Sequence, residues 1–384
     1  MIPKGSSPLS ALWTFPSILF SSFVIAWAAE AAQFLMSQGL ALAILAWLQT
    51  LPEFAVEAVI AWEAGKDPTK THLAIANFTG SLRLLVGLGW PMIYFVAAGF
   101  GWREKRKFVD IDLDDEHSVE VFGLLLPILY FTFIWWKGSL TVWDAFPLVG
   151  CYVLYLFVLW KIPPKEEEAE ALEDLGTIPR RILKMQPRPR NAAILGLFLA
   201  GGVILYFSAH PFLDSMLAIA GTLGVSTFVF VQWVAPFLSE FPEKLSAFYW
   251  ARKVATANVA LMNMVSSNIN QWSILSAMIP ILFAISAGGM RPLSFDLHQR
   301  QEILLTILQS FLGFLLLLNM KLKMHEALIL FSFWLVQFIV PSWRGPMIYV
   351  YLGWCIVELA RMVISREAPA AWRGLRNTLS ERFA

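Results

Sequence analysis

The sequence predicts an all-α polytopic membrane protein built as two inverted five-helix repeats, with about 10–11 transmembrane helices. Three observations carry that prediction. Of the 384 residues, 58% are hydrophobic and only 15% charged, with a mean hydropathy of +0.62. An average soluble chain has about 45–50% apolar and about 25% charged residues. Apolar stretches of spanning length, about 20 residues, recur from one end of the chain to the other. The charged residues inside those stretches gather in two places whose sequences resemble each other.

In order, the spans are 11–37, 39–63, 72–100, 118–136 and 141–160, then, after a polar stretch, 191–220, 225–250, 255–287, 301–319 and 325–341. An eleventh apolar stretch covers 346–364. The domain organisation follows: a first repeat at 10–160, a cytoplasmic linker at 161–190, a second repeat at 191–345, and an extra helix with an amphipathic tail at 346–384. The first stretch reads as a span and not a cleavable signal, because it lacks a basic leader and holds Glu30 within a long apolar run. The acidic run from Asp110 to Glu116 lacks the glycine and distal glutamate of a calcium-binding EF-hand loop and reads as a solvated loop. The run Glu166-Glu167-Glu168-Ala169-Glu170 reads as solvated linker. In the tail, Trp372, Leu375, Leu379 and Phe383 alternate with Arg373, Arg376 and Arg382, the pattern of an interfacial amphipathic helix.

Lys and Arg orient the stack. With the N-terminus outside, 20 of them fall on inner segments (101–117, 161–190, 251–254, 320–324 and the tail) and 7 on outer ones. Cytoplasmic segments carry the excess of basic residues, so the linker and the C-terminus are expected in the cytoplasm. Short loops and the lack of targeting features point to a bacterial inner membrane. The net charge of +1 gives no basic surface for nucleic acid. Two cysteines, Cys151 and Cys355, exclude a disulfide framework. With no nucleophile–base pair, histidine cluster or cofactor motif, the chain is not expected to be an enzyme. The expected partners are the lipid bilayer and small inorganic cations; the sequence leaves both a monomer and a small homo-oligomer open.

The repeat lies at the charged spans. Leu48-Gln49-Thr50-Leu51-Pro52-Glu53 in the second span aligns with Leu238-Ser239-Glu240-Phe241-Pro242-Glu243 in the seventh, at an offset of 190. On the next span of each half, Asn77-Phe78-Thr79-Gly80-Ser81 aligns with Asn263-Met264-Val265-Ser266-Ser267, at an offset of 186. Charged groups within a span are costly and usually face a cavity or a partner, and inverted repeats bring such motifs to mid-membrane. Each proline removes a backbone N–H and disturbs the preceding turn, freeing carbonyls near Pro52 and Pro242. Glu53 and Glu243 add anionic oxygens. Thr50, Asn77, Ser81, Asn263 and Ser267 add neutral ones. Hard cations such as calcium take about six to eight oxygen ligands. Gly80 and Ser266 are small enough for close helix approach.

These paired motifs, with Val86-Gly87-Leu88-Gly89 after the first and Ser266-Ser267-Asn268-Ile269 in the second, resemble the two alpha-repeats of the calcium/cation antiporter superfamily, which includes the sodium/calcium exchangers. The resemblance covers roughly residues 10–345. It implies a secondary active antiporter exchanging calcium, or another cation, for sodium or protons, with no cofactor beyond the transported cation. The ion site would lie among the second, third, seventh and eighth spans. Glu53 and Glu243 would be its carboxylates, and Thr50, Ser81 and Ser267 would be among its neutral ligands. The first and sixth spans would slide against the rest.

The sequence also departs from that pattern. Leu85 and Gln271 stand where the family usually has Asn or Asp, and Glu240 stands where it has a hydroxyl. The connection between the second and third spans is longer than usual. Glu240 either binds the cation or pairs with Lys244. Gln271 and Asn270 either line the site or pack elsewhere. Arg83 and Lys244 are possible charge partners of a site glutamate, and Arg83 otherwise snorkels. Glu57, one turn after Glu53 on the same helical face, either lines an access path or meets headgroups. Two other readings remain: an exchanger fold that no longer transports and serves as scaffold or sensor, and a sodium/proton exchanger.

Overall fold

The computed structural model describes residues 7–32, 48, 50–103, 110–161, 176–365 and 369–383. The parts of the first two spans at 33–47 and 49, and the acidic run Glu166–Glu170, lie outside the described residues. The helices are α1 (Ala11–Ala32), α2 (Leu51–Lys66), α3 (Thr71–Leu84), α4 (Trp90–Arg103), α5 (Ser118–Lys137), α6 (Ala145–Trp160), α7 (Thr177–Leu183) and α8 (Pro187–Leu223). They continue as α9 (Thr227–Ser239), α10 (Phe241–Arg252), α11 (Ala257–Asn270), α12 (Ser276–Ser286), α13 (Leu297–Leu317), α14 (Met324–Ile339), α15 (Arg344–Ser365) and α16 (Ala370–Phe383).

Eight helical segments among the described residues are long and apolar enough to cross a membrane: Pro8–Ala32, Pro68–Arg103, Asp115–Lys137, Val142–Trp160, Pro187–Leu223, Val254–Ser286, Leu297–Leu317 and Pro341–Ile364. The shorter apolar helices α9 and α14, and α2 with its charged residues, complete the expected series. The protein is thus an all-α polytopic membrane protein. Five spans in the first repeat reverse the direction of the second.

The duplication is visible in the backbone. Thr50 precedes α2 at φ −84° and ψ −1°, and Glu240 precedes α10 at φ −96° and ψ 2°. Phe54 N–H donates to the Thr50 carbonyl at 3.1 Å, and Lys244 N–H donates to the Glu240 carbonyl at 3.1 Å. These pairs are 190 residues apart. The seventh span is therefore two helices broken at Glu240, where the sequence suggests one. Pro242 has no N–H to offer the Leu238 carbonyl, so the ladder stops there. A second matched irregularity sits 186 residues apart: a π turn at Leu85–Gly89 joins α3 to α4, and another at Gln271–Leu275 joins α11 to α12. Such turns add a residue to the helix and are frequent at functional sites.

The two offsets differ by four because α2 has 16 residues and α10 has 12. The connectors after them are equally long, Asp67–Lys70 and Lys253–Thr256. The longer connection expected after the second span is thus an additional helical turn, Glu63-Ala64-Gly65-Lys66. Gly65 lets this turn seat closely: a Cβ there would lie 2.6 Å from the Phe283 carbonyl oxygen and 2.8 Å from Ser286 Cβ.

The chain divides into two compact units, Met1–Gly80 with Pro163–Leu245 and Leu282–Gly289, and Ser81–Ile162 with Ser246–Ile281 and Met290–Ala384. In the first, α1 packs along α8 through small residues. Ile25 lies against Gly201, Thr14 and Ser215 hydroxyls meet at 2.8 Å, and Phe15 meets Phe212 edge-on at 5.1 Å. Ala28, Ala31 and Ala32 bury against Ile182 and Ile194. The outer side of α8 shows Leu195, Leu199, Tyr206 and Phe207, a surface for acyl chains.

Also in this unit, α3 meets α9 at Gly80, where an added Cβ would collide with the Gln232 carbonyl. Backbone cannot yield as a flexible side chain would. Gly80→Ala is expected to cost about 1–3 kcal/mol, read as a lower thermal midpoint of the detergent-purified protein; an unchanged midpoint would show that α9 can move aside.

In the second unit, Phe131 packs edge-on against Trp272 at 4.7 Å, and Trp272 Nε1–H donates to Ser310 Oγ at 3.1 Å. Two short ribbons join loops: β1 (Asp110–Asp112) with β4 (Lys321–Lys323), and β2 (Ser139–Leu140) with β3 (Leu293–Ser294), both antiparallel. Three of the seven residues of the acidic run therefore form a strand and not simple loop: Asp110 faces Lys323 and Asp112 faces Lys321. The Lys321 ammonium lies 2.7 Å from Asp112, whose hydrogen bond and charge hold its pKa above the usual lysine value. The tail helix α16 docks on the chain itself. Ala371 N–H donates to the Leu318 carbonyl at 3.0 Å, Gly374 lies against Asp115, and Trp372 stacks edge-on with Phe122, while Arg373 and Arg376 stay exposed.

Candidate functional site

The first unit gathers most of the predicted charges. Thr50, Glu53, Glu57, Asn77, Ser239, Glu240, Glu243 and Lys244 are each no more than 5% exposed. Glu53 and Glu243 both sit in the first turn of a helix, where unpaired N–H groups favour an anion by about 0.3–1 kcal/mol. Pro52 and Pro242 occupy the adjoining position, where their missing N–H costs the helix nothing.

Asn77 ties the carboxylates of α2 together. Its Nδ2 donates to Glu53 Oε1 at 2.6 Å and to Glu57 Oε2 at 2.6 Å. The Ser239 hydroxyl, at the end of α9, donates to Glu53 Oε2. Glu57 Oε1 and Asn77 Oδ1 are buried and receive no hydrogen bond from a described residue. Glu240 forms an ion pair with Lys244 one turn on, and both act on the charge of Glu53. Gln232 Nε2 donates to Thr79 Oγ1 at 3.1 Å, holding α3 to α9.

Glu53, Glu57 and Glu240 thus share this buried region with the Lys244 ammonium, and Glu243 is buried in the same unit. Among the described residues, no group of three or more His, Cys, Asp or Glu side chains forms a metal cluster. The donor set is instead mixed: carboxylate, amide and hydroxyl oxygens, the hard ligands that calcium prefers. Removing the ammonium would leave Glu240 buried without this partner. Lys244→Gln is therefore expected to make thermal stability depend more steeply on added calcium. An identical calcium response in variant and parent would count against Glu240 lying within reach of the cation.

The second unit holds the remaining predicted residues. Ser81 Oγ donates to Gln271 Oε1 at 2.8 Å, and Asn268 Nδ2 reaches the Leu82 carbonyl at 3.4 Å. Asn263, Ser267 and Asn270 are fully buried on α11. Ser267 Oγ and Asn268 Oδ1 receive no hydrogen bond from a described residue. The small Ser266 meets the Tyr155 hydroxyl at 2.9 Å.

Arg83 is held in a buried network of this unit. Its guanidinium donates to Glu302, and to Gln337 Oε1 at 2.8 Å. Arg344 Nη1 donates to the other oxygen of Glu302 at 3.1 Å. Gln309 Nε2 donates to the Arg83 carbonyl at 3.0 Å, and Gln337 Nε2 donates to Gln309 Oε1 and the Tyr351 hydroxyl, each at 2.9 Å. The partner carboxylate of Arg83 is thus Glu302 of α13, a residue the sequence reading does not single out. Ser239 lies inside the aligned stretch Leu238–Glu243 but is likewise not singled out there as a site residue.

A family profile described as sodium/calcium exchanger protein matches residues 8–161 and 193–343. Among solved structures, the crystal structure of the H+/Ca2+ exchanger CAX is similar with a TM-score of 0.85 and 32% identity, covering 96% of this chain and 90% of that one. The structure of native YfkE has a TM-score of 0.59 at 14% identity, covering 86% and 95%. The sodium-calcium exchanger NCX_Mj has a TM-score of 0.55 at 17% identity, covering 86% and 97%. At those identities the last two speak for the fold alone. A search of curated protein sequences finds no match.

Proposed function

The chain belongs to the sodium/calcium exchanger protein family, and from that premise we propose that it is an antiporter exchanging calcium for protons, with Glu53 and Glu243 as its charged cation ligands. The family is one of cation exchangers. Calcium and protons are chosen because the H+/Ca2+ exchanger CAX resembles nearly the whole chain at 32% identity. The observation that carries the reading is the buried carboxylate cluster of the first unit. Ionised carboxylates taken out of water cost several kcal/mol each unless paired, and on α2 Glu53 and Glu57 share one amide donor, Asn77. A cation or protons would compensate this pair, and the two are then exchangeable occupants.

Thr50, Asn77 and Glu240 are proposed to join the two glutamates. Ser81, Asn263, Ser267 and Gln271 are included on the strength of the repeat. The small-residue seam between α1 and α8 lets these two helices pack closely, as a pair that slides together against the rest in alternating access requires. We place the N-terminus outside and the linker and C-terminus in the cytoplasm, in a bacterial inner membrane, on the balance of Lys and Arg.

The test is flux in proteoliposomes: calcium uptake driven by an outward proton gradient, repeated with an outward sodium gradient. Uptake under the proton gradient, lost in Glu53→Gln and Glu243→Gln, is expected. Uptake under sodium alone would replace the proton as counter-ion. No uptake under either gradient would overturn calcium exchange.

A further inference from the structure

We propose that Glu57 is a second acidic ligand of the same cation, released to it when Asn77 turns its amide. The inference rests on the exchange reading above and deepens it, since the family motif makes only Glu53 of this helix a ligand, and the sequence reads Glu57 as lining an access path or meeting headgroups.

The geometry converges on one point. Asn77 Nδ2 lies 2.6 Å from a carboxylate oxygen of Glu53 and 2.6 Å from one of Glu57. Both amide hydrogens are thereby used, one for each carboxylate. The amide nitrogen stands where two carboxylate oxygens converge, each within short hydrogen-bond range. Positive charge is what that position selects, and the amide N–H groups offer a partial version of it.

The leftover atoms point the same way. Asn77 Oδ1 and Glu57 Oε1 are buried acceptors with no donor among the described residues. An arrangement built only to fix Asn77 between two glutamates would not leave an acceptor open on each side of it. Nitrogen and oxygen of an amide occupy nearly the same volume. A half turn about the Asn77 Cβ–Cγ bond therefore exchanges them without repacking. In the first orientation Asn77 is a donor to two carboxylates. In the second it presents a carbonyl oxygen alongside them, and a cation meets three oxygens carrying two formal negative charges.

The pair is particular to the first repeat. The offset of 190 that carries Glu53 onto Glu243 carries Glu57 onto Ala247. A second carboxylate on α2 favours a divalent over a monovalent ion, since the number of charged ligands tunes affinity.

Equilibrium binding of Ca2+ and of Na+ to the purified full chain tests this, with proteoliposome flux measured beside it. Glu57→Gln is expected to weaken Ca2+ binding by at least about tenfold, as even groups behind the direct ligands of a metal contribute about 10–100-fold. Na+ binding should change less. Glu57→Asp, which keeps the charge, should fall between the two, a rescue that a purely structural role would not produce. Ca2+ binding by Glu57→Gln equal to that of the parent would overturn the inference and leave the exchange reading intact. If Glu57→Gln is not monodisperse, Glu57→Asp decides: intermediate affinity supports the assignment, and parental affinity overturns it. Parental Ca2+ binding with no flux under either gradient would overturn exchange alone, and absence of Ca2+ binding in the parent would overturn both.

Discussion

Glu53→Gln is expected to reduce calcium exchange in proteoliposomes by at least about a hundredfold if Glu53 is the direct ligand proposed above, which would count for no less than its supporting shell. Glutamine keeps the volume of the side chain and an oxygen for Ser239 and Asn77 to address. What disappears is the charge at the start of α2. The same substitution removes an expensive buried anion, so the cation-free variant should be at least as heat-stable as the parent. Active sites commonly hold such a conflict between stability and function. Thermal unfolding and flux, measured on the same preparation, therefore move in opposite directions or not together. A variant that loses flux and stability in parallel would reduce Glu53 to a structural residue.

Glu302→Gln is expected to be the most damaging change for folding. Glu302 lies between two buried guanidinium groups, Arg83 and Arg344, which also act on each other. Removing one partner of a buried ion pair costs about 3–5 kcal/mol; here the loss leaves two like charges facing each other. Arg83→Gln should be milder, because Glu302 keeps Arg344. Thermal midpoints in detergent should fall in that order, with little response to salt, since buried pairs are weakly screened. Equal midpoints for the two variants would sink this account of the network.

What could be read before the structure divides along physical lines. Proline has an unambiguous backbone consequence, so disturbed carbonyls near Pro52 and Pro242 were legible, although the seventh span still read as one helix and not two. Glutamates within apolar runs are costly wherever they sit, which marked Glu53, Glu240 and Glu243. The i to i+4 relation put Glu57 on the face of Glu53, and Lys244 within reach of Glu240. The π turns were not legible: Leu-Val-Gly-Leu-Gly and Gln-Trp-Ser-Ile-Leu share no residue type that demands one, and only the common offset of 186 hinted at them. Nor could the sequence choose partners across distant elements. Arg83 meets Glu302, 219 residues away, and Gln337, 254 away. Asn77 read as a neutral ligand, while its role as a bridge between two carboxylates depends on the packing of α3 beside α2. The tail helix showed its amphipathic pattern, but the side it buries is chosen by Ala371 and Gly374, small residues that such a pattern ignores.

The added turn of α2 makes the duplicated halves unequal. Glu63, its first residue, bonds Lys70 at 2.9 Å and lies 3.3 Å from His210 of α8, and the Ser286 hydroxyl donates to the Trp62 carbonyl just before it at 2.6 Å. The corresponding turn does not exist on α10. A machine with identical halves would run its two half-cycles at the same speed under mirrored driving forces. If α8 slides as proposed, one half must break or carry along these fastenings, and α10 lacks the turn that would make them in the other. The gradients alone still fix where exchange comes to rest. On that reading the rate of approach would differ with direction, and loading from one compartment and unloading into the other would be kinetically handed.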